Sequence, residues 1–186
     1  MKTYSYVVDH DFGYAPNPQG GICTLVQCKF QGWSKRRNIV ELAGEEDVII
    51  GTGGQGKCST GNGTIIYVMK VSLKIPFSRY LDDGAYRNRV DRHDEGAGNK
   101  YALVSKEFIY FGERAVDINL LPSRYRGIEK RGPWFRELVP ATIGADLLVL
   151  LTRRYGMGMV GGPTCNEYGM RPPRRCRRSV APRSKG

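Results

Sequence analysis

The sequence predicts a single α+β domain in which one mixed sheet is accompanied by a few short helices. Strand-like segments rich in β-branched and aromatic residues recur along the chain, whereas helical character is confined to short stretches. The chain has 186 residues, 40% of them hydrophobic, which is enough for one domain with a sizeable core. We expect this domain to span residues 1–165. Residues 166–186, the basic tail, are expected to be disordered.

The first part of the chain combines short strands with a rigid loop. Residues 3–8 have the composition of a strand, and residues 22–29 form a second short apolar segment. Between them, a proline on each side of Asn17 favours extended backbone geometry in this loop. Residues 34–42 are compatible with a helix or with a basic turn.

The segment 47–54 is predicted to be a buried strand that ends in a glycine cluster. A flexible polar loop is expected over residues 55–63, and residues 64–74 are the longest strand candidate. Pro76 begins a short helix that is predicted to continue to residue 81. The later elements are a long charged loop, two strands, a basic connection and a helix, at 85–100, 101–105, 107–112, 120–132 and 140–151.

Positive charge is concentrated in the basic tail. The formal net charge of the chain is +11, and residues 171–186 contain seven Lys or Arg residues and no acidic residue, so removing those seven charges from +11 leaves +4. Such a tail is typical of segments that contact the phosphates of nucleic acid, although a solubilising end is the alternative. The predicted backbone contacts are Arg171, Arg174, Arg175, Arg177 and Arg178.

The five cysteines are odd in number and irregularly spaced, without a CxxC pair. This pattern favours reduced thiols in the cytoplasm over a disulfide framework. The N-terminus lacks the pattern of a signal peptide. No apolar run approaches the ~20 residues that span a bilayer, so no membrane association is expected.

Asp9, His10 and Asp11 follow the first predicted strand and are candidate catalytic residues. Histidine titrates near neutral pH, and an adjacent carboxylate can fix its tautomer. Strand alternation would place Asp9 and Asp11 on one face and His10 on the other, and a strand end with polar caps is the alternative. The second histidine, His93, lies beside Arg92 in the charged loop, where a solvated loop is the alternative to a site that combines both histidines.

Gly51, Thr52 and Gly53 are predicted to face a ligand, because backbone N–H groups at a glycine-rich strand end can bind a phosphate. A tight turn is the alternative, and the missing GK[ST] sequence excludes a P-loop. Tyr110 and Phe111 are candidates for stacking on a base, with core packing as the alternative.

Three further polar residues, Asn17, Lys29 and Arg92, complete the predicted ligand-binding set. Zinc needs about four ligands, and the histidines and cysteines have no spacing that indicates such a set. We therefore predict no metal site and assign no cofactor.

Five blocks of sequence resemble, in order, the second type of nucleotide modification associated domain. They are YVVDHDFGYAPNPQGGICTLVQCK, EEDVIIGTGG, IIYVMKVSLKIPFSRYL, RHDEGAGN and KEFIYFGERAV, over roughly residues 2–116. The family occurs in bacteria and their phages and is linked to nucleotide or modified-DNA metabolism. The resemblance implies this setting for the chain, in the cytoplasm of a bacterium or a phage-infected host cell.

The blocks 47–54 and 65–80 are also similar to PUA-like barrels, the group that includes the EVE and ASCH domains. In that group a barrel holds a flipped or modified base in a pocket. This second resemblance implies that the mixed sheet is barrel-like.

Three functions are compatible with these observations. The leading hypothesis is a binding or accessory domain for nucleotides or modified bases in DNA. The second is an enzyme that acts on a nucleotide or base through a His/Asp acid–base site. The third is a phage–host protein that sequesters a signalling nucleotide.

Overall fold

Ten strands and three α-helices form the regular structure of the described residues, which are 1–26, 38–86, 89, 100–132 and 134–165 of the computed structural model. The strands are β1 (Thr3–His10), β2 (Cys23–Leu25), β3 (Val48–Cys58), β4 (Thr64–Lys70), β5 (Leu73–Pro76), β6 (Tyr101–Ser105), β7 (Glu107–Tyr110), β8 (Val116–Asp117), β9 (Phe135–Glu137) and β10 (Gly158–Met159). The helices are α1 (Ile39–Leu42), α2 (Phe77–Asp82) and α3 (Ile143–Tyr155). Short 3-10 segments lie at Gln19–Gly21, Gly84–Tyr86, Gly112–Arg114, Ile118–Leu120 and Ser123–Ile128.

The strands form two sheets instead of the single sheet predicted. Seven make a mixed large sheet in the order β10-β7-β4-β3-β1-β9, with β8 also paired to β4. β3 is parallel to β1 and β10 is parallel to β7, whereas the other pairs are antiparallel. Strands β2, β6 and β5 make an antiparallel small sheet. The α+β class with a mixed sheet and few short helices is confirmed. The strands of the described residues do not close a barrel, so the PUA-like barrel is not confirmed.

The second sheet arises because the run 64–74 changes hydrogen-bond partners in its middle. The N–H of Val71 donates to the carbonyl of Asp47 at 2.8 Å, beside the large sheet. The next N–H, of Ser72, donates to the carbonyl of Val104 in β6 at 2.8 Å. Hydropathy alone does not reveal such a change of partner, so one predicted strand becomes β4 and β5.

Apolar side chains divide into three clusters that separate four layers. One cluster lies between the two sheets and includes Tyr6, Tyr67 and Leu103. A second lies between the large sheet and α3, and a third lies between the small sheet and α2. The order of layers is therefore α2, small sheet, large sheet and α3.

Helix α3 confirms the predicted C-terminal helix, although it begins and ends later than the predicted 140–151. Leu147, Leu148 and Leu151 recur at helical spacing and are buried against the large sheet, whereas Val149 is 51% exposed. Helix α2 confirms the prediction that a helix begins after Pro76. None of the helices in the described part of the chain combines the length and the apolar character that a membrane crossing requires.

Strand β3 runs through the glycine cluster and continues to Cys58, so the prediction that it ends at the glycines is wrong. A Cβ at Gly51 would overlap the ring of Tyr67, and a Cβ at Gly54 would overlap Val7 and Asp9. Glycines inside a strand mark such close approaches. Here they allow β3 to pass tightly between β1 and β4.

Cys58 and Cys165 form a disulfide, which corrects the prediction of reduced thiols. Their Cα atoms lie 5.4 Å apart, within the usual range for a disulfide, although 107 residues separate them in sequence. The pairing depends on the fold, which brings the end of β3 to the segment after β10. The spacing of the cysteines along the chain therefore could not predict this pairing.

Candidate functional site

Strand β1 ends in Asp9 and His10, and Asp11 follows it; the three side chains enter different environments. The register between β1 and β3 shifts after Val8. Asp9 is half-buried beside Gly54, His10 is exposed, and Asp11 is only 1% exposed. The three residues that the sequence groups together therefore have separate surroundings.

Asp11 is the centre of a buried hydrogen-bond cluster. The hydroxyl of Tyr110 donates to Asp11 Oδ1 at 2.5 Å, and both the N–H and the hydroxyl of Thr164 donate to Oδ2 at 3.0 Å. Burial raises the pKa of the Asp11 carboxyl, and these hydrogen bonds oppose that rise. The cluster connects the end of β1 to the end of β7 and to residue 164, so Asp11 acts as an anchor.

The side chains of His10, Phe12 and Tyr14 form an aromatic row next to this anchor. The rings of His10 and Phe12 have centroids 5.9 Å apart and planes within 4° of parallel. The ring of Phe12 lies 6.2 Å from that of Tyr14 at an angle of 43°. His10 is exposed and the other two are half-buried, so the row reaches the surface.

Phe12 is absent from the sequence-based set of site residues. The signal that could have found it is the recurrence of a ring at positions 10, 12 and 14, directly after a strand. In an extended chain such a repeat places rings on one side, whereas here Gly13, between Phe12 and Tyr14, has a φ of 75°.

Asn17 is completely buried in the proline loop, and its amide orientation is set by a neighbour. Its Oδ1 accepts a hydrogen bond from the N–H of Gln19 at 3.1 Å. Within the described residues, its Nδ2 is a buried donor without a hydrogen-bond acceptor. An unsatisfied buried donor costs about 1–3 kcal/mol.

Arg89 holds the proline loop against the small sheet. Its guanidinium donates to the carbonyl of Asn17 at 2.5 Å, to the carbonyl of Gln19 at 2.9 Å and to the hydroxyl of Thr24 at 3.1 Å. Arg89 is only 7% exposed, which is rare for arginine. The sequence did not single it out, because it is one of several arginines in a charged segment.

The comparison with known families agrees with the resemblance of the sequence blocks. The family model described as nucleotide modification associated domain 2 matches residues 1–97, slightly more than half of the 186 residues.

The chain belongs to the nucleotide modification associated domain 2 family.

Searches of curated proteins and of solved structures found no match. The match to nucleotide modification associated domain 2 includes the aromatic row, Asn17 and Arg89. The partners of Asp11 lie beyond residue 97, and strands β6 to β10 also follow that residue. Because β6, β7, β8 and β9 pair with strands inside the match, the family segment and the following residues share both sheets.

The predicted ligand-facing role of Gly51, Thr52 and Gly53 stays a prediction. In the structure these residues lie inside β3, where a Cβ at Gly53 would overlap the carbonyl of Gly61. The hydroxyl of Thr52 donates to the carbonyl of Tyr6 at 3.1 Å. These contacts give all three residues a packing role.

Tyr110 and Phe111, the two predicted stacking residues, are 0% and 1% exposed. The hydroxyl of Tyr110 is occupied by Asp11, and the ring of Phe111 packs edge-to-face against Tyr155 at 5.2 Å. Their stacking on a base stays a prediction, which would require the core to open. The aromatic row offers one exposed ring, His10, and two half-buried rings without such a change.

Several predicted site residues lie outside the described residues. They are Lys29, Arg92, His93, Arg171, Arg174, Arg175, Arg177 and Arg178, together with the rest of the basic tail. Among the residues that the structure does describe, no three His, Cys, Asp or Glu side chains converge as a metal site would require.

Proposed function

We propose that the chain is a binding or accessory domain for nucleotides or modified bases in DNA, and that the aromatic row is the surface that contacts the base. Membership of the nucleotide modification associated domain 2 family supports an association with nucleotide modification. The observation that carries the binding proposal is the stack of an exposed His10 on Phe12, at a centroid distance of 5.9 Å. Aromatic rings bind bases by stacking, which contributes about 1–3 kcal/mol per base.

Two neighbouring features support the same location. The loop that follows the row carries the buried Asn17 and is held by Arg89. Asp11 lies between His10 and Phe12 in sequence. Its hydrogen bonds with Tyr110 and Thr164 connect this part of the chain to the end of β7 and to residue 164. Preorganised loops of this kind lose little conformational entropy on binding.

The same contacts argue against Asp11 as the acid–base partner of His10. Both carboxylate oxygens of Asp11 accept hydrogen bonds from Tyr110 or Thr164. The carboxylate of Asp11 is therefore occupied by these structural hydrogen bonds and does not orient His10 for catalysis.

The test is a titration of wild type and Phe12→Leu with a panel of nucleoside monophosphates, including base-modified ones, followed by calorimetry. Leucine keeps the apolar bulk but removes the ring, so we expect affinity to fall about 5- to 150-fold. Tyr101→Leu is the matched control, because Tyr101 is a 37% exposed ring on the small sheet that is not part of the row. Equal affinities of Phe12→Leu and wild type would refute the placement of the site.

The same panel separates the alternative functions. Turnover that is lost in a folded His10→Ala variant would favour the enzyme. Tight binding of one signalling nucleotide without turnover would favour the sequestering protein.

A further inference from the structure

One side of helix α3, which we call its outer face, combines two opposite charges with an apolar residue. Asp146, Val149 and Arg153 follow one another at spacings of three and four residues, so they recur on the same side of the helix. Val149 is 51% exposed, and Asp146 and Arg153 are also exposed. The buried leucines of α3, which pack on the large sheet, lie on the opposite side of the helix.

The two charges of the outer face do not pair with each other. Asp146 and Arg153 are seven residues apart, which corresponds to a rise of about 10.5 Å along a helix. Within the described parts of the chain, neither side chain belongs to an ion pair. Because Val149 lies between them, the outer face carries an acid, an apolar residue and a base in that order.

A cleft of about 520 Å³ adjoins the outer face, and its lining residues are Arg124, Asp146, Val149, Leu150 and Arg153. Arg124 belongs to the 3-10 segment Ser123–Ile128 and forms the wall opposite α3. Its guanidinium donates to the hydroxyl of Tyr125 at 3.1 Å and lies 4.8 Å from the centre of that ring. The wall is therefore held in place, and the cleft can receive side chains of another molecule.

The order of charges on the outer face is complementary to itself. Two copies of α3 can pack antiparallel about a two-fold axis that passes between residues 149 and 150. Asp146 of each copy then lies opposite Arg153 of the other, and Val149 lies opposite Leu150. The result is two equal ion pairs on either side of an apolar contact. A parallel arrangement would place like charges together.

We propose that the outer face of α3 and its cleft form the contact surface between two copies of this chain. A second copy satisfies both charges, whereas a purely acidic partner would pair with Arg153 and repel Asp146. Helix α3 has 13 residues and is about 20 Å long, so the contact lies at the small end of the range for specific interfaces. We therefore expect a reversible dimer with a dissociation constant in the micromolar range.

Sedimentation equilibrium of the full-length chain tests the dimer, over a concentration series that reaches several hundred micromolar. Asp146→Arg and Arg153→Asp each convert both ion pairs into like-charge pairs. Val149→Lys introduces a charge into the apolar contact without changing either end of the helix. Arg79→Asp is the matched control, because it makes the same charge change as Arg153→Asp in the last turn of α2, in the opposite outer layer.

We expect wild type to dimerise and Arg79→Asp to match it. Each of the three variants of α3 should raise the dissociation constant at least about 10-fold, because every substitution acts twice in a symmetric dimer. A one-to-one mixture of Asp146→Arg and Arg153→Asp should form a mixed dimer, since every arginine then faces an aspartate. Native mass spectrometry distinguishes this dimer from the others by its mass.

Three results would overturn the proposal. Wild type that stays monomeric throughout the series would show that the two charges serve only the dipole of their own helix. A dissociation constant that no α3 variant changes, or that Arg79→Asp changes equally, would assign dimerisation to another surface or to net charge. Folded charge variants that form no mixed dimer would contradict the pairing of Asp146 with Arg153.

Circular dichroism shows which variants are folded. If a charge variant does not fold, the dissociation constant of Val149→Lys decides the outcome. Base binding by the aromatic row is measured separately, so the proposed function stands or fails independently of the dimer.

Discussion

At the scale of single residues, Asp11 shows how a polar side chain from the centre of a predicted site becomes a structural anchor. A carboxylate at 1% exposure would be strongly destabilising without partners, and Asp11 accepts hydrogen bonds from Tyr110 and Thr164. The sequence indicated Asp11 as a candidate catalytic residue and Tyr110 as a candidate stacking residue. It did not indicate that they contact each other, because 99 residues separate them.

The raised pKa of Asp11 predicts the sign of a pH effect on stability. The folded state holds the proton more tightly than the unfolded state, where the ordinary pKa is 3.8. The stabilising contribution of this group is therefore complete below that pH and is lost as the pH rises through the folded pKa. Asp11→Asn does not ionise and lacks this dependence.

Urea unfolding of wild type and Asp11→Asn between about pH 3.5 and about pH 7 measures the effect. We expect the stability of wild type relative to Asp11→Asn to fall across this range. A relative gain by wild type with rising pH would mean that hydrogen bonds outweigh burial and that the carboxylate is stabilised.

At the scale of secondary-structure elements, strand β3 shows why the sequence patterns predicted the start of a strand correctly but not its end. Its apolar start, residues 48–50, was predicted as a buried strand because three β-branched residues are adjacent. Its continuation was not predicted, because glycine is typical of turns as well as of close approaches. Only the neighbouring side chains, such as the ring of Tyr67 over Gly51, distinguish the two cases.

This interpretation predicts that Gly51 does not tolerate a side chain. A methyl group in Gly51→Ala would overlap Tyr67 and approach Val8 within 2.9 Å. Overpacking of this kind costs about 1–3 kcal/mol, which urea unfolding would measure as a lower free energy of unfolding. Gly127→Ala is the control, since no heavy atom lies within 4 Å of its Cβ position. Equal stability of the two variants would contradict the packing role of Gly51.

At the scale of the whole molecule, the fold class and most elements could be predicted, whereas the arrangement of the two sheets could not. The strands and helices depend on local patterns that the sequence displays. The separation of the sheets depends on the change of partner between Val71 and Ser72, and the disulfide depends on the meeting of Cys58 and Cys165. Identifying the aromatic row required both the sequence pattern and the fold. Its rings alternate in sequence, but only the fold shows their contacts with one another and their position at the surface.

The disulfide predicts a large effect on global stability. It closes a loop with a sequence separation of 107 residues, and loops of roughly this length gain up to about 4.7 kcal/mol from restriction of the unfolded chain. We expect reduction, or Cys58→Ala with Cys165→Ala, to lower the free energy of unfolding by about 2–5 kcal/mol.

Peptide mapping without reductant checks the bond directly, and urea unfolding with and without reductant measures its effect. The double variant should no longer respond to reductant through this bond. A map without the linked Cys58–Cys165 peptides would contradict the disulfide itself.

The most direct test of the central claim is photo-cross-linking of the full-length chain to a single-stranded oligonucleotide that contains 5-iodouracil. The iodinated base reacts on irradiation with an aromatic ring on which it is stacked, and trypsin releases the entire aromatic row in one peptide, residues 3–29. We predict an adduct on this peptide, located by fragmentation at His10, Phe12 or Tyr14. Adducts confined to peptides outside residues 3–29 would contradict a base-binding role of the aromatic row.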